Sequence, residues 1–515
     1  MLRSDTGTTV SCWMQHVKMP ETLPLENDLA CDVCVVGAGI AGMTTAYMLL
    51  MEGKSVVVLD KGPIGGGETG RTTAHLSDAL DDRYETLIKV HGEAGARLAA
   101  ESHAAAIDKI EEIIKKENID CDFQRLDGYL FSLPSTPADS LEKELEAARK
   151  IGYDDLVLLQ QCPVPSLSTG PCLRFPKQGQ FHPMKYLAAL ANIIIQKGGR
   201  ICTETHVKEF EGGIVTRAKT DDGHTVTANF MVVATNTPVN DWVTMHTKQA
   251  PYRTYVLAFE IPHDSVPAGL YWDNADPYHY IRTMRGPAAE GKVKYDLLIV
   301  GGEDHKTGQE NHPEERFACL EAWTRKHLPQ AGSVKYRWSG QVMEPVDHMG
   351  FIGRNTLDSE NVFIATGDSG HGMTHGTIAG MLLTDLILGR KNPWTALYDP
   401  SRISVNAPTA GEFLKENLNV AKQYTDWVTP GDQENADHLT PESGCVIRKG
   451  MTKIAVYCDA EGTHHERSAV CPHLGCIVNW NSVERSWDCP CHGSRFDAMG
   501  KVINGPALSN LGNVE

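Results

Sequence analysis

The sequence has no long apolar run. A bilayer-spanning helix needs about 20 apolar residues, whereas the apolar segment at 381–389 is short and contains Asp385. At the N-terminus no apolar stretch follows a basic start, and there is no pair of adjacent arginines. The features of a signal peptide are therefore missing. We expect no transmembrane segment and a cytoplasmic location.

Positive charge is scarce as well. The 515 residues include 48 Lys and Arg against 66 Asp and Glu, which gives a net charge of −18. Nucleic-acid binding requires a basic face, and anionic lipid surfaces attract basic segments, so we expect neither partner. The 14 cysteines are spread over a chain too long for one hydrophobic core. This differs from the dense disulfide pattern of small secreted domains.

The stretch 31–62, CDVCVVGAGIAGMTTAYMLLMEGKSVVVLDKG, predicts a strand, a glycine turn, a helix and a second strand. Gly37, Gly39 and Gly42 form a GxGxxG motif at the start of the helix. Such glycines permit a tight turn and close approach to a pyrophosphate, which then lies at the helix N-terminus. Asp60 ends the second strand and would bind the ribose hydroxyls, although a solvated strand end would also fit. The motif in this context predicts a dinucleotide site.

Two further segments favour FAD over NAD. Residues 62–77, GPIGGGETGRTTAHLS, form a long glycine-rich loop that a plain nicotinamide-binding domain would not need. Residues 350–389 predict a strand at Val362–Ala365, a glycine turn and a helix. This arrangement can direct helix-terminal amides towards an anionic flavin edge.

Together with FHPMKYLAAL at 181–190, these segments resemble the glycine oxidase and D-amino-acid oxidase (DAO) superfamily of FAD enzymes over about residues 30–390. The resemblance implies flavin contacts from residues 65–73 and 367–374. It also implies non-covalent FAD, because 338–353, near which some relatives carry a tethering cysteine, has none. The cofactor-binding residues predicted in this way are Gly37, Gly39, Ile40, Ala41, Gly42, Asp60, Lys61, Gly67, Thr69, Arg71, Thr72, Thr73, Ala74, Gly367, Gly370, His371, Gly372, Met373 and Thr374.

The same resemblance implies an α/β, Rossmann-like FAD-binding domain of the glutathione-reductase type, interleaved with an antiparallel-sheet substrate domain. We expect the FAD-binding segments at about 30–125, 180–240 and 345–390, and the substrate-side segments at about 125–180 and 240–345. An N-terminal extension, 1–30, precedes them. A linker with one helix, 391–436, and a small all-β domain, 437–515, follow.

No residue stands out as a catalytic acid or base, and the candidates are Tyr280, Arg282 and His371. An arginine in the aromatic segment 269–285 would suit a carboxylate-bearing substrate, but such strand residues also pack cores. Asp368, His371 and His375 match a second pattern, that of a two-histidine, one-carboxylate iron site. A turn that contacts flavin could not hold that iron as well.

Two cysteines and two histidines near the C-terminus have metal-ligand spacing. Cys471-x-His473 is followed after fifteen residues by Cys489-x-x-His492. In a Rieske [2Fe–2S] centre, two thiolates hold one iron and two imidazoles hold the other. Zinc is the alternative metal, but a zinc finger would have CxxC where this chain has CxH. The spacing predicts a Rieske cluster.

The cluster segments resemble the cytochrome bc type of Rieske protein. The resemblance implies a disulfide between Cys476 and Cys491 that joins the two cluster loops. It also implies that Ser494 donates a hydrogen bond to a bridging sulfide, and that 504–511, NGPALSNL, covers the cluster.

The whole chain resembles bacterial FAD-dependent oxidoreductases with a C-terminal Rieske domain. The resemblance implies an enzyme that oxidises an amine, N-methyl amine or amino acid by hydride transfer to FAD. Electrons would leave singly through the cluster to an external acceptor such as a ferredoxin, a cytochrome or a quinone-linked protein. Two alternatives stay open: a reductase or monooxygenase-type flavoprotein that receives electrons through the cluster, and an electron-transfer component for a separate oxygenase.

Overall fold

The computed structural model describes residues 2, 4–133, 136–137, 139–168, 170–240, 243–286, 288–289, 292–293, 295–310, 312–356, 360–403, 407–433 and 435–514. Its helices are α1 (Ile40–Met51), α2 (Arg83–Glu117), α3 (Ser140–Lys150), α4 (Pro183–Gln196), α5 (Pro313–His327), α6 (Gly372–Ile387), α7 (Thr395–Tyr398) and α8 (Ala407–Gln423). Three short 3₁₀ helices are η1 (Cys12–Met14), η2 (Glu68–Arg71) and η3 (Tyr424–Trp427).

The strands, in chain order, are β1 (Leu29–Val36), β2 (Val56–Leu59), β3 (His75–Leu76), β4 (Gln124–Phe131), β5 (Val157–Leu159), β6 (Cys172–Gln180), β7 (Arg200–Cys202), β8 (Val207–Glu211), β9 (Thr216–Thr220), β10 (Thr225–Val233), β11 (Gln249–Ile261), β12 (Leu270–Asp273), β13 (His279–Arg285), β14 (Ala288–Ala289), β15 (Lys292–Val293), β16 (Asp296–Lys306), β17 (Val334–Pro345), β18 (Phe351–Arg354), β19 (Val362–Thr366), β20 (Ser443–Lys449), β21 (Thr452–Cys458), β22 (His464–Ser468), β23 (Asn479–Asn481), β24 (Ser486–Asp488), β25 (Arg495–Asp497) and β26 (Val502–Asn504).

An eight-stranded sheet forms the Rossmann-like layer. Its order is β18-β19-β10-β1-β2-β7, with β9 beside β10 and β8 beside β9. β1 runs parallel to β2 and β10, and β10 runs parallel to β19. The continuous apolar residues of β1 and β2 are buried, as expected for parallel strands covered on both faces. The turns after β1, β2 and β19 therefore meet at the carboxyl edge of the sheet, where this fold binds its ligands.

Helices α1 and α6 pack at very short range above this sheet. A Cβ atom added at Gly376 would lie 2.7 Å from Ile40 Cγ2, and one at Gly380 would lie 2.6 Å from Thr44 Cγ2. Only glycine allows such close contact between helix backbones. This packing sets the turn before α6 beside the turn before α1.

A nine-stranded sheet lies beyond the carboxyl edge of the first. Its order is β17-β11-β16-β13-β12-β4-β6-β3, with β5 beside β6. Neighbouring strands are antiparallel except for the parallel pair β12 and β4. Its strands come from chain segments interleaved with those of the Rossmann-like layer. The predicted fold class for this part of the chain is confirmed.

The C-terminal part consists of small antiparallel sheets. The strands β20, β21 and β22 form one sheet, and β23 to β26 form another. Together they bury an apolar core that contains the four cysteines 471, 476, 489 and 491. The linker helix α8 and η3 precede these sheets. Of the helices that the structure describes, none has the length and apolarity needed to cross a membrane.

Candidate functional site

A large cavity lies between the carboxyl edge of the Rossmann-like sheet and the nine-stranded sheet. It is lined by all of the predicted cofactor-binding residues except Gly42, Ala74 and Thr374. Three segments therefore line one cavity: the β1–α1 turn, the loop around η2 and the β19–α6 turn. From the sequence, these three segments were expected to contact the same ligand.

The three glycines of the first turn have different surroundings. Gly37 has φ +112°, and a Cβ there would lie 2.3 Å from the carbonyl oxygen of Ala234. A Cβ at Gly42 would lie 1.9 Å from the Gly37 carbonyl oxygen, so this glycine serves the close packing of turn and helix. At Gly39, the nearest atom would be Thr69 Oγ1 at 3.1 Å. The Gly39 face therefore opens to the cavity, and it fits a pyrophosphate.

Asp60 directly follows β2 and organises this turn. Its carboxylate accepts hydrogen bonds from the backbone N–H groups of Ala38, at 2.6 Å, and Gly62, at 2.9 Å. Burial and the nearby Asp5 raise the pKa of Asp60 to about 7. Its neighbour Lys61 donates a hydrogen bond to the carbonyl of Ile503 in the C-terminal domain. Asp60 and Lys61 both line the cavity, and their assignment to the ribose end stays a prediction.

The turn after β19 lies on the opposite side of the cavity. Gly367 and Gly370 have φ +75° and +77°, so the backbone conformation itself favours glycine here. Asp368 accepts a hydrogen bond from the backbone N–H of Met343 at 3.2 Å. In the described part of the chain, ligand atoms of Asp368, His371 and His375 do not come within 4.8 Å of one another as a group. The alternative iron site is therefore not assembled.

The candidate catalytic residues have unequal access to the cavity. Tyr280 and His371 line it, whereas Arg282 is not among its lining residues. Arg282 is buried and donates hydrogen bonds from Nη1 to the carbonyls of Thr73 and Ala74, at 3.0 and 2.8 Å. Arg282 therefore supports the backbone of the flavin-side loop. Its role as a substrate ligand stays a prediction to which these contacts lend no support.

Arg71 was predicted to bind the cofactor, and its side chain has other partners. Its Nη1 donates to the carbonyl of Ser339 at 2.7 Å and forms an ion pair with Glu484 Oε1 at 2.9 Å. Its Nε donates to Ser4 Oγ at 3.1 Å. Arg71 thus lines the cavity while its guanidinium joins the N-terminal extension to the C-terminal domain.

The predicted disulfide is present, between Cys476 and Cys491. It joins the loop that carries Cys471 to the loop that carries Cys489. The thiols of Cys471 and Cys489 lie within hydrogen-bonding distance of each other and receive backbone N–H groups of their own loops. Ser494 Oγ contacts Cys471 and accepts the backbone N–H of Ala507 at 3.0 Å.

The two candidate histidine ligands lie side by side, with ring centroids 5.1 Å apart. Nδ1 of His492 is buried and has no hydrogen-bond partner in the described residues, which suits a nitrogen that binds metal. Burial and the neighbouring His246 and His473 lower the pKa of His492 to about 3, so its ring is neutral, as ligation requires. These four side chains fit a Rieske [2Fe–2S] cluster.

His246 covers the imidazole edge of this site. It lies before β11 in the flavin-side part of the chain, and its ring centroid is 4.9 Å from that of His473 and 5.7 Å from that of His492. The two cluster histidines are consequently buried, with 7% and 6% of their surfaces exposed. This contact could not be predicted from the sequence, because His246 belongs to no motif.

The segment 502–508 touches both sites. It lines the cavity through Val502, Asn504, Gly505, Ala507 and Leu508. The backbone N–H of Ala507 also donates a hydrogen bond to Ser494 Oγ of the cluster loop. The sequence predicted only that this segment covers the cluster. Its contact with the cavity depends on how the domains pack against each other, and local sequence patterns do not predict that packing.

Gln341 of β17 forms a second bridge. It lines the cavity, and its Nε2 donates a hydrogen bond to the carbonyl of Gly493, at 3.2 Å. Gly493 directly follows His492, a candidate ligand of the cluster. Gln341 and the segment 502–508 thus each contact both the cavity and the cluster loop.

Comparisons with known proteins agree with this geometry. Residues 32–386 match the DAO family model, described as FAD dependent oxidoreductase. The chain belongs to this family. Residues 433–515 match the model of the Rieske [2Fe-2S] domain. FAD and a Rieske [2Fe–2S] cluster are therefore the cofactors of this enzyme. Cys471, His473, Cys489 and His492 are the residues that would hold the cluster.

Individual relatives of this oxidoreductase cover different parts of it. The Bacillus subtilis (strain 168) protein YhfW, named as a Rieske 2Fe-2S iron-sulfur protein, is 32% identical over 504 residues, which cover 98% of this chain and 97% of that protein. Gamma-glutamylputrescine oxidoreductase of Escherichia coli (strain K12) is 28% identical and covers 71% of this chain and 85% of its own length. Glycine oxidase from Geobacillus kaustophilus, at 18% identity, shares the fold with a TM-score of 0.60 over 73% of this chain and 99% of its own.

Proposed function

We propose that this oxidoreductase oxidises an amine, N-methyl amine or amino acid and passes the electrons singly through the Rieske cluster to an external acceptor. The carbon beside nitrogen loses a hydride and the nitrogen loses a proton, so that a carbon–nitrogen double bond forms. The substrate gives up two electrons and two protons in total. Two molecules of a one-electron acceptor, such as a ferredoxin, a cytochrome or a quinone-linked protein, take one electron each.

The observation that carries this proposal is the shared wall between the two sites. The segment 502–508 lines the cavity and also binds Ser494 of the cluster loop, and Gln341 connects the cavity to Gly493. Electron transfer becomes faster as the distance between cofactors falls. A cluster held this close to the flavin cavity supports electron exchange within the chain, which a separate oxygenase component would not require in this form.

The residues of the chain have defined tasks in this proposal. FAD supplies a two-electron acceptor, and the Rieske cluster supplies a one-electron carrier. Gly39 leaves room for the pyrophosphate, and Asp60, which lines the cavity, is assigned to the ribose. The cavity lies between the two sheets, and exclusion of water by a bound substrate would strengthen electrostatic interactions there. Non-covalent FAD and a cytoplasmic location remain part of the proposal.

An anaerobic absorbance titration tests the direction of electron flow. Purified holoprotein is mixed in one cuvette with amines and amino acids and in another with NADH or NADPH. We expect an amine or amino acid to bleach the flavin and then the cluster, and the nicotinamides to leave both unchanged. Bleaching by a nicotinamide alone would make this enzyme a reductase and would overturn the proposal.

Loss of the cluster separates its role from that of FAD. In Cys489→Ala or His473→Ala, we expect substrate still to reduce the flavin, whereas turnover with a one-electron acceptor falls at least a hundredfold. Cys458→Ala is the control, since Cys458 is a buried free thiol of the same domain outside the cluster site. Turnover that survives loss of the cluster would contradict the proposed electron path.

A further inference from the structure

The N-terminal extension contains a segment that runs along the flavin-side loop. We call residues 4–14 the strap, and the loop that it follows is 66–72, which includes η2. Three side chains of the strap donate hydrogen bonds to backbone carbonyls of this loop. The pairs are Ser4 with Gly66 at 3.2 Å, Ser11 with Gly70 at 2.5 Å and Trp13 with Thr72 at 2.6 Å. The strap therefore binds the loop at three points along its length.

The end of the strap is fixed in the core of the flavin part. Trp13 and Met14 are fully buried. The Trp13 ring lies edge-on to His182 at the start of α4, with centroids 5.1 Å apart, and the Arg282 guanidinium lies 5.2 Å from the centroid of the same ring. A Cβ added at Gly70 would lie 2.6 Å from Met14 Cε. The strap is thus packed directly against the loop and is an integral part of the fold.

The loop that the strap binds lies at the cofactor cavity. Thr69 Oγ1 accepts the backbone N–H of Ile40 at 3.0 Å, so the loop lies beside the Gly39 face that fits a pyrophosphate. Asp5 and Thr6 of the strap also line the cavity themselves. Because neither residue belongs to a motif, the cofactor-binding residues predicted from the sequence do not include them.

The opposite side of the strap binds the C-terminal domain. Thr9 donates its backbone N–H to Glu484 at 3.0 Å, and its hydroxyl donates to the same carboxylate. Arg495 donates to the carbonyl of Thr6. Arg71 of the loop donates from Nη2 to the carbonyl of Thr9 at 3.0 Å. The strap is therefore held between the flavin-side loop and the domain that carries the cluster residues.

We propose that the strap is a fourth cofactor-binding segment, and that its contacts with the C-terminal domain hold FAD in the cavity. The strap keeps the loop 66–72 in the position in which it lines the cavity, so that FAD leaves only when the strap and the loop move. Binding of FAD and docking of the strap then favour each other, because a ligand stabilises the conformation that binds it. Retention of FAD in this way depends neither on the substrate nor on the direction of electron flow.

Amide hydrogen exchange of the unaltered protein tests this coupling. Exchange in the strap is followed by mass spectrometry in the holoprotein and in protein from which FAD has been removed. We expect the strap amides to exchange about tenfold faster without FAD, because local opening is then no longer opposed by the ligand. The control is α5, which belongs to the flavin part but does not line the cavity. Equal exchange of the strap in both forms, or an equal increase in α5, would overturn the inference.

The double variant Ser11→Ala with Trp13→Phe tests the contacts with the loop. It removes two hydrogen bonds and keeps most of the apolar surface, so we expect FAD to be released about tenfold faster. The fluorescence of released FAD after dilution of the holoprotein measures this rate. Ser168→Ala with Trp323→Phe is the control, since it makes the same two changes in the flavin part at residues that do not line the cavity. Release at the rate of the control would overturn the inference.

Thr9→Val tests the contact with the C-terminal domain. The change removes the hydroxyl that binds Glu484 and keeps the shape of the side chain, and Thr9 does not line the cavity. We expect FAD to be released several-fold faster. Thr8→Val is the control, because Thr8 Oγ1 donates to the carbonyl of Val483 at an exposed position, at 3.1 Å, where water can replace it. Equal release rates in the two variants would show that docking of the C-terminal domain does not hold FAD.

Discussion

Gly39 has one contact that distinguishes it from the other two glycines of its turn. Its added Cβ would meet Thr69 Oγ1 at 3.1 Å, a side-chain atom that can move, whereas Gly37 and Gly42 face backbone atoms at 2.3 and 1.9 Å. An alanine at Gly39 therefore leaves the fold of the turn intact and places a methyl group in the cavity. The added methyl group therefore hinders ligand binding and does not disturb the packing of the protein.

We expect Gly39→Ala to weaken FAD binding at least tenfold, or about 1.4 kcal/mol, because the methyl group blocks close approach of the pyrophosphate. The flavin content of the purified protein and its recovery on adding FAD measure the effect. Gly411→Ala, in α8 with no atom within 4 Å of its added Cβ, is the control and should retain full flavin. Stoichiometric, tightly bound flavin in Gly39→Ala would show that the pyrophosphate lies elsewhere.

The two arginines predicted to bind ligands show where reasoning from residue type ends. Arg71 and Arg282 are both nearly fully buried, and both use their guanidinium groups on protein carbonyls or on Glu484. An arginine has five donors in a planar fork and satisfies carbonyl groups as readily as carboxylates. The sequence placed both residues near the flavin, but it could not report which partner each would find.

At the scale of elements, the short helix η3 of the linker binds the cluster loop. In η3, Tyr424 Oη donates to the carbonyl of Leu474 at 2.7 Å, and Trp427 Nε1 donates to the carbonyl of Gly475 at 2.9 Å. Leu474 and Gly475 directly follow His473, a candidate ligand of the cluster. The linker is therefore part of the cover of the cluster and more than a connection between domains.

The double variant Tyr424→Phe with Trp427→Phe removes both hydrogen bonds and keeps most of the aromatic surface. Each bond contributes about 1 kcal/mol, so we expect the cluster loop to open more often and the visible absorbance of the cluster to decay several-fold faster under a chelator. Leu418→Ala, an exposed apolar residue of α8, serves as the control. An unchanged decay rate in the double variant would show that the linker does not protect the cluster.

Elements with strong local patterns were predictable from the sequence. The helix expected after the GxGxxG turn spans Ile40–Met51, and the strand expected at Val362–Ala365 extends by one residue. Glycine turns and apolar runs fix such elements locally. The N-terminal extension, His246 and the segment 502–508 have roles that depend on contacts between distant parts of the chain, and no local periodicity encodes them.

At the scale of the whole molecule, the C-terminal domain is joined to the flavin part by a buried charge network. Glu484 forms an ion pair with Arg71 at 2.9 Å and lies 3.7 Å from Arg253, and all three side chains are fully buried. Thr9 of the N-terminal extension donates its backbone N–H to Glu484 at 3.0 Å. Three separate parts of the sequence therefore meet at one carboxylate.

The charge state of Glu484 defines the pH range in which the network acts. Burial alone would raise the pKa of Glu484, but Arg71, Arg253 and Arg495 hold it below its ordinary value of 4.5. A carboxylate with a lowered pKa stabilises the fold above the pKa of the unfolded chain, and this contribution is lost as the pH falls through the folded pKa. At neutral pH the ion pair is fully formed, so the network stays intact through the physiological range.

We expect Glu484→Gln to loosen the C-terminal domain, because it leaves Arg71 and Arg253 as buried charges without a counter-charge. Breaking such a pair costs about 3–5 kcal/mol. The measurements are denaturant unfolding, proteolysis within the linker 391–436, and the rate at which the cluster is reduced after the flavin. We expect lower stability, faster cleavage of the linker and slower reduction of the cluster, while the cluster itself is retained.

Glu442→Gln is the matched control for this change. Glu442 pairs with Arg485, the neighbour of Glu484, but both side chains are more than 40% exposed, and surface pairs contribute about 0–1 kcal/mol. We expect this variant to keep the stability and the cluster reduction rate of the unaltered protein. If Glu484→Gln had the same stability and cluster reduction rate as Glu442→Gln, other contacts would hold the domains together. If Glu484→Gln lost stability while the cluster was reduced at the original rate, the network would serve folding, and electron transfer would not depend on the fixed position of the domain.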